Sequence, residues 1–285
     1  MQLTLAVITD IHHGPDRGTK KGTAALPLLN KFRDFVTDLR PACTIDMGDR
    51  ISDVNEATDR KLTSEVAQSL AKIPGKIHHI LGNHDVAKLS VRENEELMQH
   101  SFASNSVDIN GIHLIFWNAD DKLDFHKGFS LASGDLDWLR NDLTSTELPT
   151  VIFTHVPLDN GSMKGKFYFE KRAPHRAAYP EEQGEAIRDV IERSGKVILC
   201  LNGHTHWNAY HSIDGTHYLT IPSLTESCTT WPHPNEAFAS VRLGETIEVE
   251  VFGRTPLFYR LPIRARGEHW ANIYKDYSPT QIQPA

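Results

Sequence analysis

The sequence is poor in cysteine, in long apolar runs and in positive charge. Its 285 residues hold three cysteines, Cys43, Cys200 and Cys228, far apart and with no Cys-x-x-Cys pair. A disulfide framework and a zinc ribbon are therefore excluded, and the thiols suit a reducing compartment, so a cytoplasmic location is expected. No apolar stretch nears the roughly 18 residues of a membrane-spanning helix. Leu3 to Ile8, the first apolar run, is short, follows no basic residue and leads into Asp10, unlike a secretory signal. Lysine and arginine number 30 against 37 aspartates and glutamates, a net charge of −7. That balance argues against a protein that wraps nucleic acid. Hydrophobic residues make up 39% of the chain, enough to build a packed core. What is present in excess is histidine, with 16 residues. Histidine is the commonest metal ligand and a frequent acid or base, so the positions of these residues decide how much they mean.

Hydrophobic periodicity predicts the elements. Leu3 to Thr9 reads as a strand; Leu28, Leu29, Phe32, Phe35, Val36 and Leu39 mark one face of a helix ended by Pro41. Cys43 to Met47 reads as a second strand, with Cys43 and Cys200 as small core residues. Leu62, Val66, Leu70 and Ile73 mark a helix closed by Pro74-Gly75, and Lys76 to Leu81 a third strand. This β-α-β-α-β order predicts parallel strands joined by crossover helices. A hairpin is expected across Asn110-Gly111, then a helix through Leu136, Leu139 and Leu143 capped by Ser133. Strands are expected at 150–154 and 196–201, with a helix over 186–193 before Gly195. Beyond residue 207 the pattern turns to hairpins, expected to supply much of a second sheet. The stretch from about Ala265 is polar and reads as a tail or arm.

Five short motifs stand at the carboxyl ends of these strands. They are Asp10-Ile11-His12, Gly48-Asp49, Gly82-Asn83-His84-Asp85, His155, and Gly203-His204-Thr205-His206. Open α/β sheets place their ligand sites at such strand ends. Alternation along an extended segment would send Asp10 and His12 to one side, and likewise His204 and His206. Carboxylates, an amide and several imidazoles together suit borderline divalent metals better than magnesium or calcium, which prefer all-oxygen shells. The glycines before Asp49, Asn83 and His204 allow close approach of backbone to the site.

In this order the motifs resemble those of the calcineurin-like metallophosphoesterase superfamily, over roughly residues 1 to 250. The resemblance implies an α/β fold, a four-layer α/β/β/α sandwich of two mixed sheets, as a domain over 1–262 with 263–285 as the tail. It implies one metal held by Asp10, His12, Asp49 and His206, and a second held by Asp49, Asn83, His155 and His204, with Asp49 bridging. The ions would be manganese, iron, zinc or cobalt. It also implies a phosphoric ester hydrolase working by attack of a metal-bound hydroxide. His84 would serve as donor or charge stabiliser at the substrate, and Asp85 would orient either His84 or the Asn83 loop. His84 and Asp85 are thus the candidate catalytic residues, and His13, Asn83 and His84 the candidate substrate contacts. The second motif runs Gly48-Asp49-Arg50-Ile51-Ser52-Asp53, unlike the usual protein phosphatase form, and the third ends in Asp85. Small phosphodiesters are the expected substrates. A phosphomonoesterase, a DNA exonuclease and a non-catalytic scaffold are the alternatives, and a homodimer is a further expectation. His78, His79, His113, His211 and His217 read as structural, and the basic, aromatic stretch from Lys164 to Arg176 as either a solvated loop or a holder for the rest of the substrate.

Overall fold

The computed structural model describes residues 2–119, 122–132 and 134–263. The expected tail, apart from Ile263, and the expected cap Ser133 lie outside the described residues.

The chain opens with β1 (Leu3–Ile8), then α1 (Ala25–Leu39), β2 (Cys43–Asp46), α2 (Glu56–Leu70) and β3 (Ile77–His79). β1, β2 and β3 are parallel neighbours, as a crossover chain requires. α1 buries Leu28, Leu29, Phe32 and Val36 on one face and stops where Arg40 turns left-handed ahead of Pro41. α2 starts at Asn55, whose side chain accepts the Thr58 amide. A short α3 (Val91–Met98) follows, closed at its start by a Ser90–Glu93 capping box that the sequence reading missed.

The second half runs β4 (Asn105–Ile109), β5 (Ile112–Phe116), α4 (Asp135–Ser145), β6 (Thr150–Phe153), α5 (Glu181–Ser194) and β7 (Val197–Asn202). Asn110 and Gly111 both take positive φ, 52° and 79°, and close the β4–β5 hairpin. Then come β8 (Ala209–Ile213), β9 (Thr216–Thr220), β10 (Phe238–Leu243), β11 (Thr246–Phe252) and β12 (Leu257–Pro262).

These strands form two six-stranded mixed sheets, ordered β12-β11-β10-β1-β2-β3 and β4-β5-β6-β7-β9-β8. The late hairpins do not build one sheet together, as expected from the sequence. β8 and β9 complete the second sheet, with β9 parallel to β7, while β10 to β12 join the first through an antiparallel β1–β10 pair. Alternation explains the layers. Leu3, Leu5 and Val7 of β1 face inward to meet Leu114, Phe116, Phe153 and Leu201 of the second sheet. Ala6 and Ile8 face outward onto α1 and α2, and Ile115, Ile152 and Cys200 face outward onto α4 and α5. The result is helices, sheet, sheet, helices. Among the described residues no helix is long and apolar enough to cross a membrane.

One histidine is trapped between the sheets. His78 of β3 stacks on Phe116 with ring centroids 3.8 Å apart, and its Nε2 is buried with no hydrogen-bond partner. Burial, helped by Lys76, pushes its pKa down to about 4. Protonation therefore favours the unfolded chain, where histidine titrates near 6.5. Stability from this residue is complete above pH 6.5 and falls as pH drops toward 4, by roughly 2 kcal/mol at pH 5. Urea midpoints at pH 7 and pH 5 should show that loss, and His78→Phe should shrink it. A difference untouched by the substitution would place the acid sensitivity elsewhere.

Candidate metal centre

The carboxyl ends of β1, β2 and β3 in one sheet meet those of β6 and β7 in the other, and the five motifs converge at this seam. Asp10, His12, Asp49 and His206 form one cluster; Asp49, His155 and His204 form another, with ligand atoms within 4.8 Å of one another in each. Asp49 belongs to both. The family resemblance implies these two groups with Asn83 added to the second.

The backbone route to it differs from the expectation. Asp10, His12, Asp49, His204 and His206 all take left-handed φ, between 46° and 65°. The segments are not extended throughout, and a left-handed residue at each of the paired positions, 10 and 12 and again 204 and 206, accompanies the turn of the side chains to one place. Such φ values are uncommon for non-glycine residues and gather at functional sites. The glycines act through space. A Cβ on Gly82 would overlap the Asp49 carboxylate and the His155 ring; one on Gly203 would overlap Thr9 and Asp10.

Each imidazole is tied down through one nitrogen, leaving the other for the cluster. His155 Nδ1 donates to the Met47 carbonyl at 2.8 Å, and His204 Nε2 to the Arg176 carbonyl at 2.7 Å. His206 Nδ1 lies 3.2 Å from Glu226 Oε2, and His12 Nδ1 lies 3.4 Å from the Ile51 carbonyl. Metal-ligating histidines are oriented in this way. On the inner side, His12 Nε2 and His206 Nε2 are 3.0 Å apart, and His206 Nε2 is 3.2 Å from Asp10 Oδ1. His155 Nε2 is 3.4 Å from Asp49 Oδ2. The carboxylates are divided likewise. Asp10 Oδ2 accepts the Thr9 hydroxyl and the His204 amide, which leaves the buried Asp10 Oδ1 to face His206 Nε2 across the cluster. Asn83 Oδ1 is buried and unpartnered, a cost that a cation would remove.

Protonation states follow from these contacts. Burial lowers the His204 pKa to about 3, with His155 adding to the effect. Burial and then Lys20 hold that of His12 well below the usual histidine range. Both rings therefore offer lone pairs. Burial raises the carboxyl pKa of Asp10 and of Asp49, but His206 acting on Asp10, and His155 and His84 on Asp49, more than offset it. Both remain anionic. Burial alone would lower the pKa of His206, yet Asp10 and Glu226 lift it to about 9. A cation at this cluster would displace that proton.

A family model for calcineurin-like phosphoesterases matches residues 3–208 of the chain. The chain belongs to that family. Among solved structures this phosphoesterase family member is similar to a dimetal phosphatase from Danio rerio, with a TM-score of 0.74 at 16% identity, covering 92% of this chain and 99% of that one. A purple acid phosphatase from yellow lupin gives a TM-score of 0.64 at 14% identity, over 91% of this chain and 53% of the other. GAP50, the anchor in the inner membrane complex of Plasmodium, gives 0.59 at 12% identity, over 100% and 97%. At these identities the likeness is one of fold, and the same fold carries different roles. No curated protein matches in sequence.

Three candidate residues stand differently from the sequence reading. Asp85 does not orient His84. Its carboxylate accepts the amides of Asp49, Arg50 and Gly82 at 2.9–3.0 Å and the Arg50 guanidinium at 2.8 Å, so it ties the second and third motifs together. His84 is oriented by Asp53, whose carboxylate takes Nδ1, while Nε2 stands 3.9 Å from Asp49 Oδ2. His13 is not brought to the clusters; its ring bridges Glu65 of α2 at 2.8 Å and the Gly22 carbonyl. Arg50, fully buried against Asp46 and Asp85, was missed although it adjoins Asp49. Glu226 was missed because nothing in sequence marks a carboxylate 20 residues after His206 as its partner. Lys20 was missed too; its Nζ lies 2.9 Å from His84 Nε2.

Proposed function

We propose that this chain hydrolyses small phosphodiesters with two divalent transition-metal ions held by Asp10, His12, Asp49, Asn83, His155, His204 and His206. The observation that carries this reading is the arrangement of four imidazoles, each fixed through its outer nitrogen, around two buried carboxylates with Asp49 shared. A mixed nitrogen and oxygen set of this kind suits manganese, iron, zinc or cobalt. Two such ions, when bound, supply Lewis acidity and a water made nucleophilic near neutral pH. The chain's own residues do the rest. Asp49 offsets charge at both positions. His84 faces the same space from outside the clusters, where it can protonate a departing oxygen. Asp85 and Arg50 hold the loops that carry Asp49 and Asn83.

The surface beside the His204 ring supports the diester reading. Phe129 and Phe169 pack against the His204 ring, and beyond them Phe125, Phe167 and Tyr168 are exposed. Arg176 lies over Phe125 and Arg172 over Phe167. A diester has a second substituent to set against such a surface. The test is a panel of a nitrophenyl diester, a nitrophenyl monoester, cyclic nucleotides, glycerophosphodiesters and DNA, given to metal-reconstituted protein. Chelator-sensitive cleavage with diesters ahead of monoesters is expected. Preference for the monoester would remove the diester half of the proposal, and no cleavage of any ester would remove it whole.

A further inference from the structure

Lys20 sits in a loop whose position is built rather than loose. Arg17 and Lys20 exchange two backbone hydrogen bonds across a tight turn, and Asp16 accepts from the Thr23 amide and hydroxyl. The turn is strapped to the chain after β9: the Lys21 amide donates to the Thr225 carbonyl, and the Ser227 amide and hydroxyl both donate to the Thr19 carbonyl. The same segment grips the first motif, with Ser223 Oγ on the Asp10 carbonyl at 2.7 Å and Thr225 Oγ1 on the Ile11 carbonyl at 3.0 Å. One short stretch thus fixes Lys20 and Asp10 relative to each other.

The ammonium is in an unusual place. A surface lysine ends in water or on a carboxylate. Lys20 instead donates to His84 Nε2 at 2.9 Å, and among the described residues no carboxylate lies within ion-pairing distance of it. Burial lowers its pKa, opposed by the more distant charges of Asp49, Glu226, Asp10 and Asp53. Two of those four, Asp10 and Asp49, are the carboxylates proposed to take cations. Once their charge is neutralised, only Glu226 and Asp53 remain to balance the Lys20 ammonium, which faces His84 at the edge of the clusters. An anion at that spot would restore the balance, and the anion that comes to this site is the phosphoryl group.

We infer that Lys20 is a substrate contact, its ammonium binding a non-bridging phosphoryl oxygen beside His84. This rests on the proposed phosphoesterase reading, which supplies the ligand. Before substrate arrives Asp53 takes Nδ1 and Lys20 donates to Nε2; once the ammonium turns to the phosphoryl oxygen, Nε2 is released to carry the proton that the acid role needs.

The test uses the full chain reconstituted with metal and compares wild type, Lys20→Met and Lys20→Arg. Binding of inorganic phosphate is followed by calorimetry, metal content by elemental analysis, and KM and kcat on the best ester of the panel. A charge-assisted hydrogen bond of this kind predicts phosphate affinity about 10- to 100-fold weaker in Lys20→Met. KM should rise in parallel, metal content should stay unchanged, and Lys20→Arg should recover part of the loss. Wild-type phosphate affinity and KM in Lys20→Met would overturn the inference. So would loss of metal in that variant, which would make the lysine a prop for the Asp10 loop. If wild type cleaves no ester but binds phosphate in a Lys20-dependent way, the functional reading falls and the contact stands.

Discussion

Asp49→Asn should deplete both metal positions together and lower turnover on the order of 10³-fold, the rate equivalent of losing several kcal/mol of charge stabilisation. The substitution is nearly isosteric. The amide oxygen can still accept the His84 backbone N–H that Asp49 Oδ1 accepts at 2.8 Å, so the loop has no reason to move. What goes is a buried negative charge lying 3.4 Å from His155 and 3.8 Å from His12, one ring from each cluster. Among the described residues no other belongs to both clusters. Elemental analysis of wild type and variant, purified side by side, decides the matter. Loss of one ion with full retention of the other would show that the sites do not share this carboxylate. Full retention of both would remove Asp49 as a ligand.

His84→Ala is expected to act on chemistry alone. General acid assistance is worth about 10²–10⁴-fold, and turnover should fall by that order while metal content is unchanged. The structure gives the ring a partner suited to that work. Asp53 holds Nδ1, and the hydrogen bond from His84 lowers the Asp53 pKa, so the carboxylate is charged when the ring must bear a proton. The loss should be smaller for a nitrophenolate leaving group, which needs little protonation, than for an alkyl diester. Full activity on an alkyl diester would end the acid role. Emptied metal sites would make His84 a ligand.

Much of this was legible in the sequence, for identifiable reasons. The strands carrying the motifs are short apolar runs followed by polar clusters, and that contrast survives in a single chain. The paired sheets were legible as to number but not assignment. Nothing in the pattern of β8 to β11 says which sheet each joins, β12 was not read as a strand, and the long return from β9 to β10 sends β10 to β12 to the other sheet beside β1. α3 was missed because it is eight residues long and buries only Asn94, leaving little apolar period to read. For Asp85 the sequence left two partners open, His84 and the Asn83 loop. In three dimensions its carboxylate is taken up by three amides and Arg50, which leaves Asp53 to meet the ring. Lys20 and Glu226 belong to segments brought together only by the strapping of two loops, and a single sequence does not record such meetings.

The left-handed backbone at Asp10, His12, Asp49, His204 and His206 has an evolutionary reading. Each such position disfavours an L-residue with a side chain by roughly 1–2 kcal/mol, and glycine is nearly exempt. A lineage selected only for robustness would drift at these five positions toward glycine or asparagine, gaining ease of folding and losing the cluster. With a carboxylate or an imidazole at every one of them, the fold carries this cost five times over at the place where its chemistry is concentrated.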